Sequence, residues 1–181
     1  KRAWLSGMHI RALELDDVTS RLLPYLEADG ILSGNPSLGE LGRLREVAAL
    51  IQTRIAHLTE AGALVAPFFA PDDMVDVADD ARAQLGEDAV RVLDAASTAL
   101  QALPDEHSGV LASESTWTAP AIEAALRAAV IDGLGLKPKV AFTPLRTAVS
   151  GRRISPPLFE SMEILGKTAT LTRLDALRST L

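Results

Sequence analysis

The 181 residues carry 18 Lys/Arg against 24 Asp/Glu, with 48% hydrophobic and 23% charged side chains. That balance belongs to one large or two small folded domains able to bury a core. The absence of cysteine excludes disulfides and thiolate metal sites, and a cytoplasmic setting is expected. No run of about 18 apolar residues occurs, so no membrane-spanning helix is expected.

Aromatic residues make up only 4% of the chain, while alanine and leucine abound, which favours packed helices over a sheet. The chain opens Lys1-Arg2-Ala3-Trp4, with neither an initiator Met nor the apolar core of a signal peptide. It is therefore expected to be a piece of a longer protein. Residues 2–10 read as a helical turn ended near Gly7.

Residues 15–27 predict an amphipathic helix, with Asp16 and Asp17 in the first turn, where the helix dipole favours negative charge. Val18, Leu22, Leu23 and Leu26 form its buried stripe, and Pro24 is expected to kink it. After a turn cluster at 33–37, Leu41, Leu44, Val47, Ala48, Ile51, Ile55 and Leu58 fall at helical spacing. One continuous helix over 38–61 is the expectation. Arg43, Arg45 and Arg54 lie off its apolar stripe and should face solvent or a partner.

Ala66-Pro67-Phe68-Phe69-Ala70-Pro71 interrupts the pattern between two prolines, and a joint is placed there, with domains at 1–68 and 69–181. The acidic run Asp72, Asp73, Asp76, Asp79, Asp80 lacks the glycine and terminal glutamate of a calcium loop and reads as a solvated helix face. Residues 90–103 predict a further helix, closed by Pro104 and a polar loop at 105–109. Thr118-Ala119-Pro120 opens the next, with Thr118 as N-cap and Ile122, Leu126, Ala129 and Val130 on its stripe, ending at Gly133 or Gly135. Strand alternation persists nowhere. The expected fold class is all-α, in two packed helical units.

From residue 137 onward eight Lys/Arg stand against three Asp/Glu, so the preceding residues carry 10 against 21. The segment reads as a helix, a glycine-broken basic turn, a second helix capped by Ser155 with Pro156 at its first position, and a final amphipathic helix. Arg146, Arg152 and Arg153 surround that helix start, whose free N–H groups suit an anionic or base-edge partner. A basic segment on an acidic protein docks nucleic acid, or else covers acidic neighbours within the fold. Charge alone does not separate the two.

Catalytic patterns are missing. His9, His57 and His107 sit in separate segments without metal-ligand spacing, so no metal site is expected. No phosphate loop, dinucleotide fingerprint or nucleophile elbow occurs. The residues by themselves point to a binding module.

Three segments, taken in order, resemble the bacterial-type glutamyl-tRNA synthetases. The first is Arg2-Ala3-Trp4-Leu5-Ser6-Gly7-Met8-His9-Ile10-Arg11; the second is Gln52-Thr53-Arg54-Ile55-Ala56-His57-Leu58 with Pro67-Phe68-Phe69. The third is Pro144-Leu145-Arg146, Ala148 and Gly151, then Ser155-Pro156, Leu158-Phe159, Leu165-Gly166-Lys167 and Arg173-Leu174. The family's HIGH and KMSKS signatures, which belong to its Rossmann-type catalytic domain, are absent.

The resemblance implies the C-terminal anticodon-binding half: the end of the stem-contact region plus a first helical anticodon-binding domain at 1–68, and a second at 69–181, together a helix cage. It implies binding to the anticodon loop of tRNA, with ATP and Mg²⁺ used only in the N-terminal catalytic half of the same parent chain. By motif, Arg54 matches the arginine that inspects the first anticodon base and favours cytosine over uracil there. Arg146, Ser155, Pro156 and Leu158 match residues that hold the anticodon bases. Arg152 and Arg153 are added as phosphate contacts on charge alone. No cofactor is expected in this chain, and a monomer is expected. The alternative is a helical protein-interaction or structural module with a basic C-terminal face.

Overall fold

The computed structural model describes residues 7–104 and 116–181, and every regular element among them is helical. The Trp4 segment, the 105–109 loop and His107 lie outside the described residues. The chain forms two compact units, Lys1–Ala70 and Pro71–Leu181.

The first unit contains α1 (Gly7–Ala12), α2 (Leu15–Ala28), α3 (Leu38–Ile51) and α4 (Ala61–Val65), with 3₁₀ turns at Leu58–Glu60 and Ala66–Phe69. Ile10, Val18, Leu22, Leu26, Leu44, Val47 and Ile51 are fully buried in its core. Each such side chain contributes about 1.5–3 kcal/mol of transfer free energy. Leu23 is only half-buried, and α2 continues through Pro24. Gly7 begins α1 instead of ending a turn; a Cβ there would press on the Ala56 Cα at 3.2 Å. It is small because the 55–56 backbone passes against it.

The single helix expected over 38–61 is two pieces. A capping box opens α3, the Ser37 hydroxyl accepting from the Glu40 N–H at 3.1 Å and the Glu40 carboxylate from the Ser37 N–H at 2.9 Å. The helix stops at Ile51, and Gln52, still helical in backbone and bonded through its N–H to the Ala48 carbonyl at 2.9 Å, is its C-cap. Its side-chain amide donates to the Ile10 and Leu13 carbonyls at 2.9 and 2.8 Å, at the C-terminal end of α1, where carbonyls lack helical donors; the Ile10 oxygen also accepts the Leu13 N–H at 3.2 Å. Ile55 and Leu58 remain buried, as their spacing requires, but from a turn and a 3₁₀ segment.

The second unit holds α5 (Asp79–Arg82), α6 (Ala89–Gln101), α7 (Ala119–Leu126) with a π-helical continuation at Arg127–Asp132, α8 (Pro138–Ser150), α9 (Leu158–Leu165) and α10 (Lys167–Arg178). Helices α6, α8 and α10 pack on one another, while α7 packs on α6 and α9. Leu93, Leu100, Ile122, Leu126, Leu145, Met162 and Leu174 fill the space between them. Thr118 caps α7 as expected, accepting from the Ala121 N–H at 3.3 Å. The buried Trp117 indole donates to the Met162 carbonyl at 2.9 Å, tying the start of α7 to α9.

The acidic run is not one solvated helix face. Only Asp79 and Asp80 lie in α5; residues 71–78 form an irregular segment laid against the end of α8, with the Ala78 N–H bonded to the Gly151 carbonyl at 2.9 Å. The second correction concerns Ser155. Helix α9 begins at Leu158 with Pro157 at the N-cap position, and Ser155 caps nothing. A residue preceding proline is pushed out of the helical region, so Pro156, standing before Pro157, cannot begin a helix.

Candidate functional site

In the first unit the candidate is Arg54, in the turn between α3 and the 3₁₀ segment. The turn is fastened from both sides. Gln52 anchors one flank to α1, and on the other the Glu60 carboxylate accepts the Ala56 and His57 N–H groups at 2.6 and 2.8 Å. Those two bonds, that from His57 first, hold the Glu60 carboxyl below its ordinary 4.5. Arg54 itself projects exposed from this rigid frame, its guanidinium without a hydrogen bond or ion pair among the described residues. The neighbouring arginines are engaged: Arg43 donates to the Phe68 carbonyl at 3.1 Å, and Arg45 pairs with Asp16 at 2.6 Å.

In the second unit, the structure sorts the eight cations from residue 137 onward. Five are bound within the fold. Arg152 donates to the Asp76 carbonyl at 2.7 Å and pairs with its carboxylate at 3.1 Å. Arg153 places Nε and Nη2 at 3.0 and 2.9 Å from one terminal atom of the Gln84 amide, which is assigned as the oxygen because two N–H donors face it. Lys167 donates to the Gln101 and Leu103 carbonyls at 2.9 and 2.6 Å, capping the C-terminus of α6. Arg173, 1% exposed, joins Asp72 at 2.8 Å and the Val149 carbonyl at 2.6 Å, and Arg178 pairs with Asp94 at 3.0 Å.

The remaining three are Lys137, Lys139 and Arg146, all exposed and all on or beside α8, with no side-chain partner among the described residues. Charge pattern alone left the basic segment undivided; the division needs the positions of Asp72, Asp76 and Asp94. The signal available in the sequence was the seven-residue step from Lys139 to Arg146, two helical turns on one face.

Around the turn after α8, Gly151 adopts φ +69°, and a Cβ there would overlap the Asp76 carbonyl oxygen. The glycine of the Pro144–Gly151 motif is thus fixed by a left-handed turn and a close backbone approach. The turn exposes Arg153 and Ile154, the latter 81% accessible, and leaves Ser155 half-buried. Pro156 and Leu158 are buried, Leu158 at 3% exposure, so neither presents an open apolar surface. Beside α8, Arg127 lies 5.3 Å from the Phe142 ring centre and pairs with Glu123 at 2.9 Å, and Phe142 meets Phe159 edge-on at 5.4 Å. These aromatics cement α7, α8 and α9 and offer no stacking platform.

No group of three or more His, Asp or Glu among the described residues could hold a metal ion. No helix among them is long and apolar enough to cross a membrane. What each unit does present is an exposed guanidinium on a well-braced scaffold, a rigid fork of donors with a flat face.

A family model described as an anticodon binding domain matches residues 17–178. The chain is 49% identical over 174 residues to a glutamate–tRNA ligase of Arthrobacter sp. (strain FB24), covering 96% of this chain and 32% of the relative. It is 48% identical over 177 residues to that of Kineococcus radiotolerans, covering 98% and 33%. The chain therefore spans about a third of the length of the curated relatives it matches. The crystal structure of a glutamate tRNA ligase from Elizabethkingia meningosepticum superposes with a TM-score of 0.73 at 15% identity, over 97% of this chain and 31% of that one. The synthetase from Elizabethkingia anophelis gives 0.70 at 14%, over 96% and 30%. Both likenesses concern the fold.

Proposed function

This chain belongs to the anticodon-binding domain family, and on that premise we propose that it reads the anticodon loop of glutamate tRNA on behalf of a longer glutamate–tRNA ligase. The observation that carries the reading is the sorting of cations: the fold consumes most of its C-terminal arginines and leaves Arg146 exposed, without a side-chain partner among the described residues. Anticodon bases are splayed single strands, read by hydrogen bonds to their edges and by flat side chains against their faces. Arg146 and, in the first unit, Arg54 supply both functions, with Arg54 favouring a cytosine at the first anticodon base. Ser155 offers a hydroxyl to a base edge. Since Pro156 and Leu158 are buried, they shape the turn, and the exposed Ile154 provides the apolar cover. A phosphate reaching Arg152 would compete with Asp76.

The parent enzyme would act as a cytoplasmic monomer, with glutamate, ATP and Mg²⁺ handled by its catalytic half. No step of that chemistry passes through the residues described here. Gel shifts with isolated anticodon stem-loops test the reading. The chain should bind the glutamate stem-loop more tightly than a scrambled loop on the same stem. With about four phosphate contacts, log affinity should fall against log salt with a slope of roughly −3. Absence of RNA binding would favour a protein-interaction or structural role.

A further inference from the structure

Beside the free face of α8 lies a groove of about 300 Å³, lined by Gln84, Asp88, Lys139, Val140, Thr143 and Pro144 among others. Its polar groups have a consistent arrangement. Lys139 brings an ammonium without a partner among the described residues. The Thr143 hydroxyl donates to the Lys139 carbonyl at 2.7 Å, which leaves its lone pairs as acceptors. The Gln84 oxygen is taken by Arg153, so its NH₂ group remains as a donor. Pro144 has no N–H to return to the carbonyl of Val140, four residues earlier, so that oxygen lacks its helical i+4 donor. The Asp88 carboxylate is offset by Arg91 at 2.7 Å, and Val140, 43% exposed, supplies apolar surface.

Arg146 stands one turn beyond Thr143 on the same face, and about 10.5 Å of helix separates it from Lys139. From this placement we infer that the groove receives an unpaired RNA nucleotide next to the one at Arg146, with its phosphate at Lys139 and its base over Val140 and Pro144. The inference rests on the anticodon-binding reading and adds a second subsite to it. Chemical complementarity selects the occupant: among the lining groups, an ammonium without a partner among the described residues, hydroxyl and carbonyl acceptors, an amide donor and the apolar Val140 and Pro144 suit one nucleotide, while the one lining carboxylate, Asp88, is held by Arg91. Lys139 is a phosphate contact, so this subsite adds affinity without reading sequence.

Fluorescence anisotropy with the 181-residue chain and the glutamate anticodon stem-loop tests it across a salt series. Lys139→Gln should weaken the cognate and scrambled loops several-fold by the same factor and reduce the salt slope by about 0.7, one phosphate on a single strand. Lys139→Arg should restore the slope. Thr143→Trp, which fills the groove, should weaken binding while leaving Lys139 charged, and 2-aminopurine beside the anticodon should lose its fluorescence change in that variant. An unchanged slope in Lys139→Gln, with Arg146→Ala still impaired, overturns the subsite and spares the wider reading. No RNA binding by the unsubstituted chain overturns both. Binding of AMP to the groove that does not compete with the stem-loop overturns the assignment to RNA.

Discussion

Arg152 holds Asp76 twice, by its backbone oxygen at 2.7 Å and by its carboxylate at 3.1 Å, directly after Gly151 has passed beneath the same carbonyl. The segment that opens the second unit is thereby clamped to the end of the helix carrying Arg146. A residue remote in sequence from the motif fixes the motif's last turn.

Gly151→Ala should disturb that clamp. The left-handed conformation alone costs a non-glycine residue about 1–2 kcal/mol, and the added methyl overlaps the Asp76 carbonyl. A loss of about 2 kcal/mol or more is expected, read as a lower urea midpoint at unchanged m-value. An unaltered midpoint would show that the turn relaxes freely.

Arg173→Ala removes a buried guanidinium that links α10 to Asp72 and to the last turn of α8. Asp72 is 39% exposed and recovers hydration, whereas the Val149 carbonyl loses a charged donor inside the fold. Destabilisation of about 3 kcal/mol is expected, with Arg173→Lys recovering only part of it, because an ammonium cannot span both acceptors as a fork does. Urea unfolding of the three proteins decides it.

Arg146→Ala should weaken the cognate stem-loop by tenfold or more and a scrambled loop much less, since a bidentate base contact is worth about 1–3 kcal/mol. Equal losses would reduce Arg146 to a phosphate contact. Arg54→Gln should instead narrow the affinity gap seen when a cytosine at the first anticodon position is replaced by uracil. If the gap is the same with either residue, Arg54 does not inspect a base.

Glu60 gives a pH signature. Its carboxyl is held below the ordinary 4.5 by the His57 and Ala56 N–H groups. A depressed folded value means that the contribution is complete above 4.5 and is lost as pH falls through the lower folded value. Carbon-detected NMR titration should place the Glu60 midpoint under 4.5, and Glu60→Gln should speed amide exchange at Ala56 and His57. A midpoint at or above 4.5 would mean that the Arg54 turn is not held this way.

Helical periodicity and cap chemistry gave the fold class, α2, the Thr118 cap and the buried stripes, because these depend on residues three or four apart. The ordered motifs gave the family, and the resemblance they carry marked Arg54 and Arg146. Local pattern did not reveal that α3 ends at Ile51, where a turn over residues 52–54 follows and the Gln52 side chain bonds carbonyls some forty residues earlier. Nor did it place the start of α9, where the Pro156–Pro157 pair overrides a good capping residue three positions before.

The sequence by itself determined the all-helical class, most of the buried stripes and which arginines carry the resemblance. Only the tertiary structure decided which cations remain free for a partner. An ion pair between residues 76 and 152, or 72 and 173, leaves no trace in the spacing of either segment. Such a bond forms only when packing brings the two backbones together, so a charge count along the chain cannot distinguish a guanidinium held by the fold from one left for RNA.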